Sequence, residues 1–342
     1  MRLTHVIAAL ALAACAQAQP AAPEGGWQTV DVTAKPAAIS AKSGIGARYG
    51  ALIFRGGVEL KSANPLFGGW SGLEVDADGH FIAISDQGSF LSGSIDTNEA
   101  GDLVGVSDAK IGLMRDEEGQ PLDGKQWQDA EDIALLHDGR YAVSFEHHHR
   151  ILIYDLAKNG PAGAAERGPP VPQDMAENEG IEALVQAPDG DLIAGREFSA
   201  THKPPTQFFK LKLDGSGTVF GPAQVRRDYA LVSLRLLPDG DYIALERFYF
   251  PLVGMRTALM RYKAEGVGAV NPHLDGPELA NLKKPLATDN FEGLAVVPRR
   301  DGGARLYIIS DDNFSASQRT LLYAFDLPDT KTGPKKTKPA DK

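Results

Sequence analysis

Three glutamates recur at matched places in the chain. Glu131, Glu182 and Glu292 each open a stretch of the same pattern, and Ser71 and Val232 hold the equivalent place in two more. A second acidic column lies just past the second apolar run of each stretch: Asp86, Glu146, Glu197, Glu246 and Asp311, the fourth displaced by one residue and the last followed by Asp312 and Asn313. Carboxylates brought together repel, a bound cation relieves the repulsion, and an all-oxygen donor set suits a hard ion such as Ca²⁺. Glu131, Glu182, Glu292, Asp311 and Asp86 are therefore candidate metal ligands. A cation there polarises an ester oxygen and favours deprotonation of water. Arg196 and Arg247 are the candidate catalytic partners for developing negative charge, and Glu146 or His147 the general base. The competing reading is structural: acids at strand ends are solvated, or pair with neighbouring Arg196, Arg247 and Arg150.

Other chemistry-bearing residues are less pointed. The run Phe145-Glu146-His147-His148-His149-Arg150 holds three of the eight histidines. Successive side chains of a strand alternate between faces, so at most His147 and His149 share one. They suit a base or a soft-metal ligand, and equally an exposed hairpin end. Asp76-Ala77-Asp78-Gly79 has the opening of a calcium loop without its remainder and reads as a hairpin turn. Trp70 and Trp127 precede the first two stretches and read as packing residues rather than a substrate platform. No Gly-x-Ser-x-Gly elbow, His-Glu-x-x-His pair or phosphate-cradling loop is present.

The columns come from a repeat. Five segments share an apolar strand, a turn with Asp-Gly, a second apolar strand and then polar residues, beginning at Ser71, Glu131, Glu182, Val232 and Glu292. In the first four, Asp-Gly falls at the same distance from the start; the fifth has two extra residues. Each unit is a hairpin, with further strands at Arg150–Leu156, Gln207–Leu213, Thr257–Tyr262 and Thr320–Leu327. Units of about 50–60 residues with four strands predict an all-β fold, a β-propeller of five visible blades, with room for a sixth between Phe90 and Gln120. Equivalent positions then ring the axis, which is what brings the acids together. Tyr49–Lys61 is expected to pair with the last strands and close the ring.

Of the 342 residues, 43% are hydrophobic and 23% charged, with 37 Gly and 22 Pro, a composition able to bury a large core and rich in turns. The net charge of −10 disfavours a nucleic-acid partner. Met1-Arg2 and the apolar run to Ala14 have the form of an export signal too short to span a bilayer. The run ends Leu12-Ala13-Ala14-Cys15 at the chain's one cysteine, similar to a bacterial lipobox. The expected organisation is a signal over residues 1–15, a tether over 16–40, the propeller over 41–328 and a disordered basic tail over 329–342. A lipid on Cys15 then holds a monomer at the periplasmic face of a bacterial membrane, with no other membrane contact. Cleavage after Ala16-Gln17-Ala18 is the alternative and leaves a soluble periplasmic protein.

The stretches FGGWSGLEVDADGHFIAISDQG, DAEDIALLHDGRYAVSFE, NEGIEALVQAPDG, LVSLRLLPDGDYIALER and NFEGLAVV with LYIISDDNFS resemble the phytase-like propeller family, described as having esterase-like activity. They run from Phe67 to Ser315. The resemblance implies an exported bacterial propeller and a Ca²⁺-dependent hydrolase of a phosphoester or carboxylic ester. Val232 and Ser71 interrupt its glutamate column. A non-catalytic envelope propeller binding a ligand or protein partner is the reading of a different class, since propellers host both.

Overall fold

The Asp-Gly turns join strands that are buried on both faces. The computed structural model describes residues 26–173, 175, 179–196, 206–223, 229–267, 274 and 276–329. Cys15, Glu197 and the tail beyond Asp329 lie outside the described residues. Five antiparallel sheets form the blades of a propeller. Their innermost strands are Trp70–Val75, Ala130–Leu135, Ile181–Gln186, Ala230–Leu236 and Asn290–Pro298, which pack side by side in that order, the fifth returning to the first. Each blade is sandwiched between two others. Strands such as Ile181–Gln186 and Thr320–Leu327 are consequently buried along their whole length instead of alternating with solvent. The apolar core is divided accordingly into five clusters, one between each adjacent pair of blades.

The room for a sixth blade is taken by the first. Ser89–Thr97 and Leu103–Leu113 pair with each other and continue its sheet outward from His80–Ser85. The divergent sequence there is an outer hairpin with few apolar repeats to match, because its outer strand is half in solvent.

The ring closes as the repeat requires. Leu52–Lys61 pairs antiparallel with Thr320–Leu327, in a register that sets Leu60 against Thr320 and Ile53 against Asp326, so both ends of the chain build the fifth blade. Part of the stretch expected as a tether over residues 16–40 is built into the fold. Gln28–Thr29 adds an edge strand to the first blade, Thr33–Pro36 adds one beside Leu52–Lys61, and Ile39 is fully buried in the core. Closure removes the sheet edges on which one blade would otherwise be exposed. Deleting Leu52–Lys61 is therefore expected to abolish the cooperative melting transition of the whole ring. A truncated protein melting at the parental temperature would show that the blades are stable without closure.

In the Asp-Gly turns only the glycine has positive φ, for example 87° at Gly139 and 93° at Gly240. The turns are of the type that ends in a left-handed glycine, not two-residue turns needing positive φ at both positions. They lie at the end of the blades remote from the acids.

Candidate functional site

All five innermost strands are bulged at the same place. Pairing with the second strand skips Ser71, Glu182, Val232 and Glu292, and in the second blade Glu131 and Asp132 together face Ser144. A bulge adds a residue outside the ladder and re-aims its side chain. The first acidic column is thus the bulge column; its glutamates Glu131, Glu182 and Glu292 come near one another, while Val232 packs into the core between the fourth and fifth blades. Register also corrects the second column. Asp86, Glu146 and Asp311 are equivalent, but the fourth blade contributes Arg247, opposite Ala230, without any one-residue slip. Glu246 is one place earlier, fully buried, and accepts a hydrogen bond from the Tyr262 hydroxyl.

The carboxylate oxygens of Glu131, Glu146 and Glu182 lie within 4.8 Å of one another. That span matches two ligand distances of 2.3–2.6 Å to one hard cation. Burial, then the charges of Asp129, Glu146 and Glu292, push Glu131 well above the usual carboxylate range. Such a cluster could hold a metal ion. Asp129, Glu146 and His147 form a second close group. His147 Nε2 is 3.1 Å from Asp129 Oδ2 and 3.8 Å from Glu146 Oε2. Glu146–His149 is the turn between two strands, with His147 at φ 55°, so strand alternation does not govern these histidines. His148 instead stacks on Trp127 at 3.8 Å between ring centroids, and His149 is buried.

Asp86 and Asp311 stand to one side of the glutamates. Lys125 reaches Asp86 at 3.0 Å and also pairs with Asp129. Asp86 Oδ1 is buried with no hydrogen-bond partner among the described residues, a donor atom that would accept a cation. Burial and then Glu292 push Asp311 up to about 8, against a hydrogen bond from the Asn313 amide. Asp312 is structural: it accepts from the amides of Gly69 and Phe314 and from the Thr320 hydroxyl.

The two arginines differ. Arg196 is buried, donating to Glu179 at 2.8 Å and Gln207 at 3.1 Å. Arg247 pairs with Glu292 and donates to Asn290 Oδ1 at 3.1 Å. It lines a cleft of about 820 Å³ between the fourth and fifth blades, with Tyr249, Met255, Asp289, Asn290 and Arg319. Glu292 links this cleft to the glutamate cluster: Arg247 and Asn290 hold it, and its charge acts on Glu131. Part of the structural reading is therefore also realised, in Arg247–Glu292. Arg150 pairs with no column acid; it stacks on Phe145 at 4.1 Å. Trp70 is fully buried against Phe67, whereas Trp127 is 42% exposed and lines a separate cleft of about 440 Å³ with Arg150 and Arg167.

Below the mouth, the axis is filled by an ion pair that the columns do not reveal. Arg235 donates to both oxygens of Asp132, at 2.9 and 2.7 Å, and Glu74 is 3.3 Å from its Nε. Burial raises Glu74 to about 7 despite Arg235. A signal exists: where Arg235 stands, three other repeats carry Ala134, Val185 and Ala295 and the first carries its partner Glu74, and where Asp132 stands the others carry Gly72, Ala183, Ser233 and Gly293. Asp129 carries the same kind of signal, a lone acid where the other repeats have Gly69, Gly180, Ala230 and Asn290.

The fold is similar to several solved structures at low identity. A gluconolactonase from Xanthomonas campestris is 13% identical, with 90% of this chain and 99% of that chain covered and a TM-score of 0.39. An endo-arabinase from Bacteroides thetaiotaomicron is 11% identical, with 75% and 93% covered and a TM-score of 0.44. Regucalcin from Agrobacterium tumefaciens, a calcium-binding protein, is 10% identical, with 75% and 88% covered and a TM-score of 0.40. No curated protein matches the chain in sequence. Residues 65–314, which hold all five innermost strands and the whole acidic cluster, match the phytase-like family, described as esterase-like activity of phytase, and the chain belongs to that family.

Proposed function

We propose that the protein hydrolyses a phosphoester or carboxylic ester, with Ca²⁺ held by Glu131, Glu146 and Glu182 at the mouth of the axis. The observation that carries this reading is the convergence of those three carboxylates, which Glu292 connects to a cleft lined by Arg247 and Arg319. When bound, the ion supplies Lewis acidity to the ester oxygen. The remaining work falls to side chains. Arg247 and Arg319 face the cleft and can receive an anionic group of the substrate. Glu146 sits among the ligand atoms, so the base is His147. With its Nε2–H donated to Asp129, the lone pair is on Nδ1, and Asp129 stabilises the imidazolium formed on proton uptake. Arg196 is held by Glu179 and Gln207 beside the third blade, so Arg247 is the arginine placed at the cleft.

Release of nitrophenol from nitrophenyl phosphate and nitrophenyl butyrate, with and without chelator, tests the reading. Turnover should vanish with chelator and return with Ca²⁺. His147→Gln should lower kcat by about 10²–10⁴-fold with little change in KM. Turnover indifferent to chelator and to His147→Gln would refute it. Ca²⁺ binding without turnover of any ester would make the protein a binding module.

A further inference from the structure

The hairpin between the second and third strands of the fourth blade outgrows its counterparts. Arg247 holds the place of Asp86, Glu146 and Asp311, yet the strand continues through Phe248, Tyr249 and Phe250 before turning into Gly254–Tyr262. At about 3.3 Å per residue, the tip stands roughly 10 Å above the acidic face. Its side chains are apolar and lie in solvent: Leu252 is 92% exposed, Tyr249 61% and Phe250 51%. Single exposed apolar residues are ordinary, but a contiguous group on a protrusion marks a contact surface.

The base of the tip is cationic. The Arg256 guanidinium lies 5.2 Å over the Phe248 ring, Arg256 is the cross-strand neighbour of Lys283, and the end of the Lys284 side chain lies in the space beside Gly254. None of the three forms an ion pair among the described residues.

We propose that this hairpin inserts Phe250, Leu252 and Val253 into the headgroup region of an anionic bilayer, with Arg256, Lys283 and Lys284 resting on lipid phosphates. An apolar tip above a ring of cations has the charge and depth profile of an interfacial membrane element. Tyr249, between the two, is a residue suited to that boundary. A protein partner fits less well, because a few side chains on a narrow finger fall short of the roughly 800 Å² that each side of a stable protein contact buries. Tyr249 and Met255 at the root also line the large cleft, so docking brings the cleft mouth to the lipid. The proposal does not depend on the hydrolytic reading.

Flotation of the full-length Cys15→Ser chain with vesicles tests it without any contribution from a lipid on Cys15. Vesicles of phosphatidylcholine with phosphatidylglycerol should bind the protein, and added salt should weaken the binding. Leu252→Asp, and separately Lys283→Gln with Lys284→Gln, should weaken it at least tenfold with melting temperatures unchanged. Leu252→Trp should show a blue-shifted emission on these vesicles alone. Equal binding of Leu252→Asp and parent, equal binding to phosphatidylcholine alone, or no vesicle binding would overturn the proposal. A dimer lost in Leu252→Asp, with no vesicle binding, would assign the tip to a second copy of the chain.

Discussion

Replacing Arg235 with alanine is expected to destabilise the protein by about 3–5 kcal/mol, a fall in melting temperature on the order of 10 °C. The guanidinium is buried on the axis and donates to the carbonyls of Leu73, Ile133, Leu184 and Leu234 at 2.8–3.1 Å, besides both oxygens of Asp132. Those residues come from four different blades, so one side chain joins the innermost strands that surround it. Asp132 also accepts from the amides of Ile133 and Leu184, both at 2.9 Å, and from the Ser233 hydroxyl. Truncating Arg235 leaves that carboxylate buried without its cation and orphans the four carbonyls. Arg235→Lys keeps the charge but has three donors where the fork has five, so an intermediate loss is expected. Asp132→Leu with Arg235→Met removes both charges, yet leaves the two amides unpaired and should not regain parental stability. Urea or thermal melts decide the matter. An Arg235→Ala variant within about 1 kcal/mol of the parent, the range of neutral surface changes, would show that blade packing alone holds the axis.

The architecture was legible because its constraint repeats. Five hairpins with Asp-Gly at one spacing leave few folds open, and Thr320–Leu327 is found with the ends that its sequence indicates. Closure by Leu52–Lys61 followed from the same logic, since five four-stranded units need one more strand than the later segments supply. The site was legible in part. Aligning repeats finds residues recurring at one place, and Glu131 and Glu182 were visible that way. It cannot tell whether a given acid meets a cation: Glu292 is held by Arg247, while Glu131 has carboxylates around it. Chemistry that occurs once shows in the alignment only as an odd residue: Asp129, which fixes His147, and Arg235, which fills the axis, each belong to a single blade, and alignment does not say what they meet. Strand alternation does not say whether His147 and His149 share a face, because Glu146–His149 is a turn. The sequence around Arg196 does not show that Glu179 folds onto it from the loop before the third blade.

Without Ca²⁺, the protein should lose stability as pH rises from about 5 to about 8, and Ca²⁺ should restore it most at the upper end. Glu131, Asp311 and Asp86 have folded pKa values above the ordinary 4.5 or 3.8, chiefly through burial and then, for Glu131 and Asp311, through neighbouring carboxylates; at Asp86, Lys125 opposes the burial. Above the unfolded values, the folded protein therefore holds more protons than the unfolded chain. Stability falls with pH across that window, through about 8 for Asp311. A cation takes the place of those protons. Its effect on the melting temperature should be small near pH 5 and largest near pH 8, where saturation at 100-fold Kd contributes about 2.7 kcal/mol. Glu131→Gln keeps the shape and removes one charge from the cluster. In the absence of metal, it should melt higher than the parent at pH 8 and depend less on pH, because the remaining carboxylates repel one fewer neighbour. It should also respond less to Ca²⁺, having lost a donor. Differential scanning fluorimetry over a grid of pH and Ca²⁺ concentration makes the comparison. A parent with no Ca²⁺-dependent shift at pH 8, together with a Glu131→Gln variant of the same pH slope, would mean that solvent and Lys125 already neutralise the cluster. The mouth of the axis would then be a structural acid network and not a metal centre.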